Sequence, residues 1–108
     1  AAGEYFSSLP EMPAAVACAN DMIAIGLMQY FQRNGIQVPD DVSVVGMDNI
    51  EYAEYFNPSI TTVTNDSGEF AEKAMSLLFS RIDGSYTGDP RECLCDRRLI
   101  VRNSTRPL

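Results

Sequence analysis

The 108 residues contain no histidine and no tryptophan. Without imidazole the chain lacks the commonest general base near neutral pH and the commonest metal ligand. Lysine occurs once, at Lys73, and eight basic side chains face fifteen acidic ones, a formal net charge of −7. Gripping phosphates takes a concentrated basic surface, so this balance speaks against nucleic-acid binding by these residues themselves. No apolar run approaches the roughly 20 residues that a bilayer requires. Cys18, Cys93 and Cys95 are odd in number and include no C-x-x-C pair. They outline neither a zinc cluster nor a closed disulfide framework, and a reducing, cytosolic setting is the expectation. Ala1 to Pro13 shows neither the basic nor the apolar region of a secretory leader. No cofactor and no metal site is expected.

What is present is a composition with 45% apolar residues, enough to build one core at this length. Charge is unevenly placed. Residues 1–90 hold three basic and thirteen acidic side chains, whereas 91–108 hold five arginines with Glu92 and Asp96. Those arginines interleave with Leu99, Ile100 and Val101, the pattern of an exposed edge strand rather than of a nucleic-acid arm.

Periodicity orders the chain. Ala14 to Cys18 is a short apolar run after Pro10 and Pro13, closed by Asn20 and Asp21, and predicts a buried strand. From Met22 to Asn34 the pattern is helical, with Ile23, Ala24, Leu27, Met28, Tyr30 and Phe31 in one arc. Gly35 ends it, Ile36 is placed to fold back, and Pro39 prevents continuation. Val42 to Met47 is a second apolar run. Strand, helix and strand make a βαβ unit, hence an α/β fold with a parallel sheet covered on both faces. Further on, Ile60 to Thr64 predicts one strand, and Asp66 with Glu69 forms a capping-box variant. Phe70, Ala71, Ala74, Met75, Leu77, Leu78 and Ile82 then share one helical face, and Gly84 stops the helix. Cys93 to Cys95 and Leu99 to Arg102 read as two short strands.

The βαβ unit also locates a site. Parallel strands joined by a right-handed crossover end on the same edge of their sheet. Asn20 with Asp21, and Asp48 with Asn49, lie just past two such ends, where open α/β sheets bind ligands. One acid and one amide suit a sugar or a nucleobase, because they accept from hydroxyl and N–H donors and the amide also donates. Each has a structural reading as well. Asn20 is placed to cap the following helix, a role that uses its oxygen and leaves its NH₂ for a ligand. Asp21, in the first turn, favours the helix dipole. Asp48 fits an Asx turn at a strand exit. Met22 and Ile25 fall outside the apolar arc beside Gln29 and Gln32. With the aromatics Tyr52, Tyr55 and Phe56 they are candidates for a subunit interface.

Three signatures in order resemble one family. They are the N-D-x-x-A-x-G helix start (Asn20, Asp21, Ala24, Gly26), the turn and strand from Gly35 to Asp48, and P-x-I-T-T-V followed by L-I-V-R-x-S-T. Together they resemble the C-terminal part of the lactose-repressor/galactose-repressor (LacI/GalR) transcription regulators, from about Pro13 to Pro107. The resemblance implies the C-terminal lobe of a type I periplasmic-binding-protein-like fold. It also implies a homodimer that binds a small effector, a sugar or alternatively a purine, between two lobes, and operator DNA through an N-terminal headpiece. Asn20 and Asp48 match effector-contacting positions; Ile25 and the Tyr55–Phe56 region match interface positions, which Met22 joins. Residues 1–63 and 96–108 would belong to that lobe. Residues 64–95 would cross to the other lobe, which lies outside these residues with the headpiece. The protein would not be an enzyme. A periplasmic sugar-binding protein of an uptake system shares the architecture and is the alternative. A phosphoacceptor domain using Asp48 would need a further acidic cluster and a lysine at a strand end, whereas Lys73 lies within a helix.

Overall fold

The computed structural model describes residues 2–65 and 67–107. Its element order is α1 (Ala2–Ser7), β1 (Ala15–Ala17), α2 (Asp21–Arg33), β2 (Ser43–Met47), α3 (Tyr52–Tyr55), β3 (Thr61–Asn65), α4 (Ser67–Ile82) and β4 (Arg97–Ile100). The strands stand in the order β1-β2-β3-β4. β1 pairs with β2 in parallel, Ala17 opposite Val45, and β2 pairs with β3 in parallel, Val45 opposite Thr61. The chain divides into two compact units, residues 1–64 with 99–108, and residues 65–98.

In the first unit α2 covers one face of the sheet. Ala24, Leu27, Met28 and Phe31 are buried with Val42 just before β2, Val44 within it, Ala53 of α3 and Ile60. The buried stripe of α2 sits further round the helix than the apolar residues alone imply. Ile23 is 49% exposed, while Ile25 packs half-buried against the core. The reason is Asp21, a polar residue that is itself fully buried; counting only apolar side chains leaves it out of the stripe and displaces the expected centre. β1 also departs from expectation. It is an edge strand whose Ala15 and Ala17 are exposed, so it is not covered on both faces.

α2 terminates as its sequence requires. Gly35 adopts φ +74, a region that glycine enters without steric cost. The Ile36 amide then donates to Phe31 O at 2.9 Å and the Gly35 amide to Gln32 O at 3.3 Å, the pair of bonds of a Schellman cap. Ser104 pins the other end of the sheet. Fully buried, its hydroxyl donates to Val44 O at 2.6 Å and accepts from the Thr61 amide at 2.8 Å. Its backbone accepts from the Val44 amide and donates to Ser59 O. One residue near the C-terminus thereby bridges the starts of β2 and β3.

The second unit is built on α4. Lys73 bonds Glu69 one turn earlier, which holds its ammonium above the ordinary lysine range, and donates to Leu94 O at 3.1 Å. Tyr86 lies between two guanidinium groups, Arg91 at 3.9 Å and Arg81 at 5.1 Å from the ring centroid, close enough for cation–π attraction. Phe70, Met75, Leu78 and Ile82, expected on one apolar face, are all exposed, as is Phe79. Residues 93–95 form no strand and are fastened to α4 through the Lys73 bond instead. The Asp66 half of the expected capping box lies outside the described residues.

Ser104 supplies a test of this arrangement. Ser104→Ala removes both hydroxyl bonds and strands the Thr61 amide, and an unsatisfied buried group costs about 1–3 kcal/mol. Urea denaturation is expected to show that loss, and a change under about 0.5 kcal/mol contradicts the bridging role.

Candidate functional site

The two residues singled out by topology lie at the same edge of the sheet, because β1 and β2 are parallel and in register. Asn20 follows β1. Its backbone is extended, and its Oδ1 accepts from the Ile23 amide at 2.8 Å, an N-cap bond. The side-chain NH₂ has no partner among the described residues. Asn20 therefore caps α2 and keeps a donor available, and the two roles weighed for it are compatible.

Asp48 follows β2. Its side chain is exposed and its φ is +101, and Asn49 after it has φ +50. Positive φ is unfavourable for residues with a Cβ, least so for Asn and Asp, and two in succession persist only where surrounding bonds hold them. Three consecutive amides supply those bonds. The Asp48 amide donates to Val63 O at 2.9 Å. The Asn49 amide donates to Thr62 Oγ1 at 3.2 Å, and the Ile50 amide donates to Asp21 Oδ2 at 2.9 Å. Arg102 grips the same turn from the C-terminal segment, donating to Asn49 Oδ1 and to Ile60 O, both at 2.9 Å. The Asp48 carboxyl is left without a hydrogen-bond partner among the described residues. An acceptor held in a fixed place with its own bonding capacity unused is suited to a ligand hydroxyl or N–H.

Asp21 is the residue whose role the sequence concealed. It does more than favour the helix dipole: fully buried, it accepts from the Thr62 hydroxyl at 2.6 Å through Oδ1 and from Ile50 through Oδ2. The room for it comes from Gly46, where a Cβ would lie 2.0 Å from Asp21 Oδ1. The available signal was the pairing of a buried-strand glycine with an acid at the start of the neighbouring helix. Arg102, expected on an exposed strand, is instead half-buried and bonded to Asn49.

The proposed interface residues separate into two kinds. Met22 and Tyr55 are 60% and 74% exposed. Ile25 and Phe56 are half-buried and pack on the core. Tyr52 is exposed beside Tyr55. Cys18 is half-buried at the end of β1, and burial pushes its thiol above the ordinary cysteine value. A cavity of about 630 Å³ lies against α1, β1 and α2, lined by Phe6, Val16, Ile23, Leu27 and Tyr30 among others. Neither Asn20 nor Asp48 lines it, and its walls are mainly apolar, with Gln29 and Arg33 as the polar side chains besides Tyr30. Among the described residues no group of acidic or cysteine side chains is arranged to hold a metal ion.

Gly46→Ala puts the space requirement of Asp21 to the test. Overpacking a filled interior costs about 1–3 kcal/mol, and here the new methyl group also displaces the acceptor of Ile50 and Thr62. Chemical denaturation is expected to give losses for Gly46→Ala and Asp21→Ala that fall short of summing in the double variant. Full additivity contradicts a shared network.

Residues 2–105 match the family described as periplasmic binding protein-like domain. The HTH-type transcriptional repressor PurR of Vibrio campbellii is 38% identical over 107 residues, which cover 99% of this chain and 32% of that protein. A LacI-type transcription regulator from Bifidobacterium animalis subsp. lactis shares 44% identity, with a TM-score of 0.80 over 87% of this chain and 33% of its own. A LacI family regulator from an Arthrobacter species, solved in complex with lactose, is 30% identical with a TM-score of 0.84, covering 98% of this chain and 40% of its own. The chain spans about a third of the length of the curated relatives it matches. The parallel sheet, the polar strand ends and these likenesses agree, and the chain belongs to the LacI/GalR family, within its periplasmic-binding-protein-like effector-binding domain.

Proposed function

We propose that these residues are the ligand-sensing and subunit-pairing part of a transcription regulator that binds a small molecule, a sugar by preference, and changes its hold on operator DNA. One observation carries the proposal: the turn at Asp48 and Asn49 is held at positive φ while the Asp48 carboxyl stays unused, at the same sheet edge as the Asn20 amide. Those two groups would contact the effector. The likeness to transcription repressors and regulators supports regulation over uptake, and the lactose complex of the Arthrobacter regulator supports a sugar. A purine offers ring N–H and acceptor atoms to the same pair and remains the other chemistry to try.

Residues 1–63 and 96–108 form part of the C-terminal lobe, and 64–95 cross to an N-terminal lobe that covers the apolar face of α4. Met22, Ile25, Tyr55 and Phe56 meet a second copy; of these Met22 and Tyr55 offer the largest free area. DNA contact belongs to a headpiece beyond these residues, consistent with their net charge of −7. The protein is no enzyme and works in the cytoplasm. Its mechanism is a population shift, in which an effector bound more tightly to one lobe arrangement biases the dimer geometry presented to DNA.

A thermal-shift screen of the full-length protein with ribose, lactose, cellobiose, sucrose and purine nucleosides tests the site. An effector at a hundredfold excess over its Kd stabilises the folded state by about 2.7 kcal/mol. Asp48→Gly accepts the positive φ while removing the carboxyl. It is expected to leave the ligand-free Tm nearly unchanged and to abolish the shift, and a shift equal to that of the parent protein refutes the assignment of Asp48.

The assignment of residues 64–95 has its own test. Expressed alone, the 108-residue chain leaves Phe70, Leu78, Phe79 and Ile82 exposed, and a patch of this kind drives association. Sedimentation is expected to show species heavier than 11.9 kDa; a monomer at all concentrations contradicts it.

A further inference from the structure

We infer that Asp21 and Thr62 are a positioning pair, which sets the place of the Asp48 carboxyl relative to the Asn20 amide. The inference rests on the proposal that Asn20 and Asp48 contact the effector. Both members of the pair are fully buried, Asp21 at the first position of α2 and Thr62 on β3. The Thr62 hydroxyl donates to Asp21 Oδ1 and accepts from the Asn49 amide. The other carboxyl oxygen, Oδ2, accepts from the Ile50 amide. Among the described residues, the side-chain hydrogen bonds that leave this pair therefore end on the two residues that follow Asp48.

Stability alone does not call for such an arrangement. A buried polar group contributes little net free energy when satisfied, and an apolar pair of the same volume often does as well. Gly46 is also required beside it, since any Cβ there would meet Asp21 Oδ1 at 2.0 Å. What the polar pair supplies, and an apolar pair would not, is direction. It holds two amides in place and so selects the positive φ values of Asp48 and Asn49. Asn20, the neighbour of Asp21, is fixed by its own cap bond to Ile23. One helix end thus holds both proposed contacts, Asn20 directly and Asp48 through Asp21. A site ordered before the ligand arrives loses less conformational freedom on binding, which is where the pair would contribute to affinity.

Thr62→Val keeps the β-branched shape and removes the hydroxyl, whereas Thr62→Ser keeps the hydroxyl. In the full-length protein, at a temperature where every variant is fully folded, two quantities are measured. One is amide hydrogen exchange at Asn49 and Ile50 without ligand. The other is affinity for ribose, lactose, cellobiose, sucrose and purine nucleosides by titration calorimetry. Thr62→Val is expected to accelerate exchange at Asn49 and to weaken binding of whichever probe the parent protein takes by about tenfold or more, with Thr62→Ser within about threefold of the parent. Asp21→Asn, which keeps the shape and one oxygen, is expected to change both quantities in the same direction and stands in if Thr62→Val fails to fold. Exchange and affinity both unchanged in a folded Thr62→Val protein overturn the positioning role, even where Asp48→Gly loses binding. Undiminished binding by Asp48→Gly overturns the site assignment and the positioning role with it.

Discussion

A carboxyl group with no solvent exposure, wedged against a glycine and bonded to a threonine hydroxyl and a backbone amide, is the constraint around which the first unit is arranged. Asp21 joins the start of α2 to β3 through Thr62 and to the segment after β2 through Ile50. Gly46 on β2 makes the space. Two adjacent strands, β2 and β3, and the covering helix α2 are therefore registered at one point, at the edge where the strands end. Removing the acceptor would leave one buried and one part-buried donor unsatisfied, so the arrangement is held by the cost of its alternatives as much as by its own bonds.

The opposite edge is registered by Ser104, whose hydroxyl meets Val44 and Thr61 and whose backbone meets Val44 and Ser59. Between these two polar anchors lies the apolar layer formed by α2, Val42, Val44, Ala53 and Ile60. The anchors fix strand order and register, and the apolar layer supplies most of the driving force. Among the described residues that carry a Cβ, positive φ occurs only at the strand-end edge, at Asp48 and Asn49, and there a carboxyl and an amide retain unused bonding capacity. Strain held in place by surrounding bonds beside free polar groups is what a preformed ligand site requires.

Much of this was legible from residue order. Two apolar runs flanking a helical period implied a parallel βαβ unit, and the polar residues after each run located the sheet edge. Gly35 with Ile36 announced the end of α2, and Asn20 its start, because both depend on local backbone chemistry. α1 and α3 were not foreseen: six and four residues are too short to establish a period. Cys93 to Cys95 resembled a strand by composition, but a backbone ladder needs a partner that composition does not reveal. The roles of Asp21 and Arg102 were hidden for the same reason. An acid in a first helical turn and an arginine in a basic tail each have an ordinary surface explanation, and only their long-range partners Thr62, Ile50 and Asn49 distinguish them. The displaced stripe of α2, with Ile25 packed inward and Ile23 outward, follows from that one buried acid.

The central claim is that a ligand is held at the strand-end edge by Asn20 and Asp48 on a turn already formed without it. A crystal structure of the full-length protein with the sugar or nucleoside that stabilises it tests this most directly. The expected result is ligand hydroxyl or N–H groups within hydrogen-bond distance of the Asp48 carboxyl and the Asn20 side chain, with the Asp21–Ile50 and Thr62–Asn49 bonds unchanged. A ligand seated instead in the apolar cavity against α1, β1 and α2, with Asp48 solvated, would contradict it.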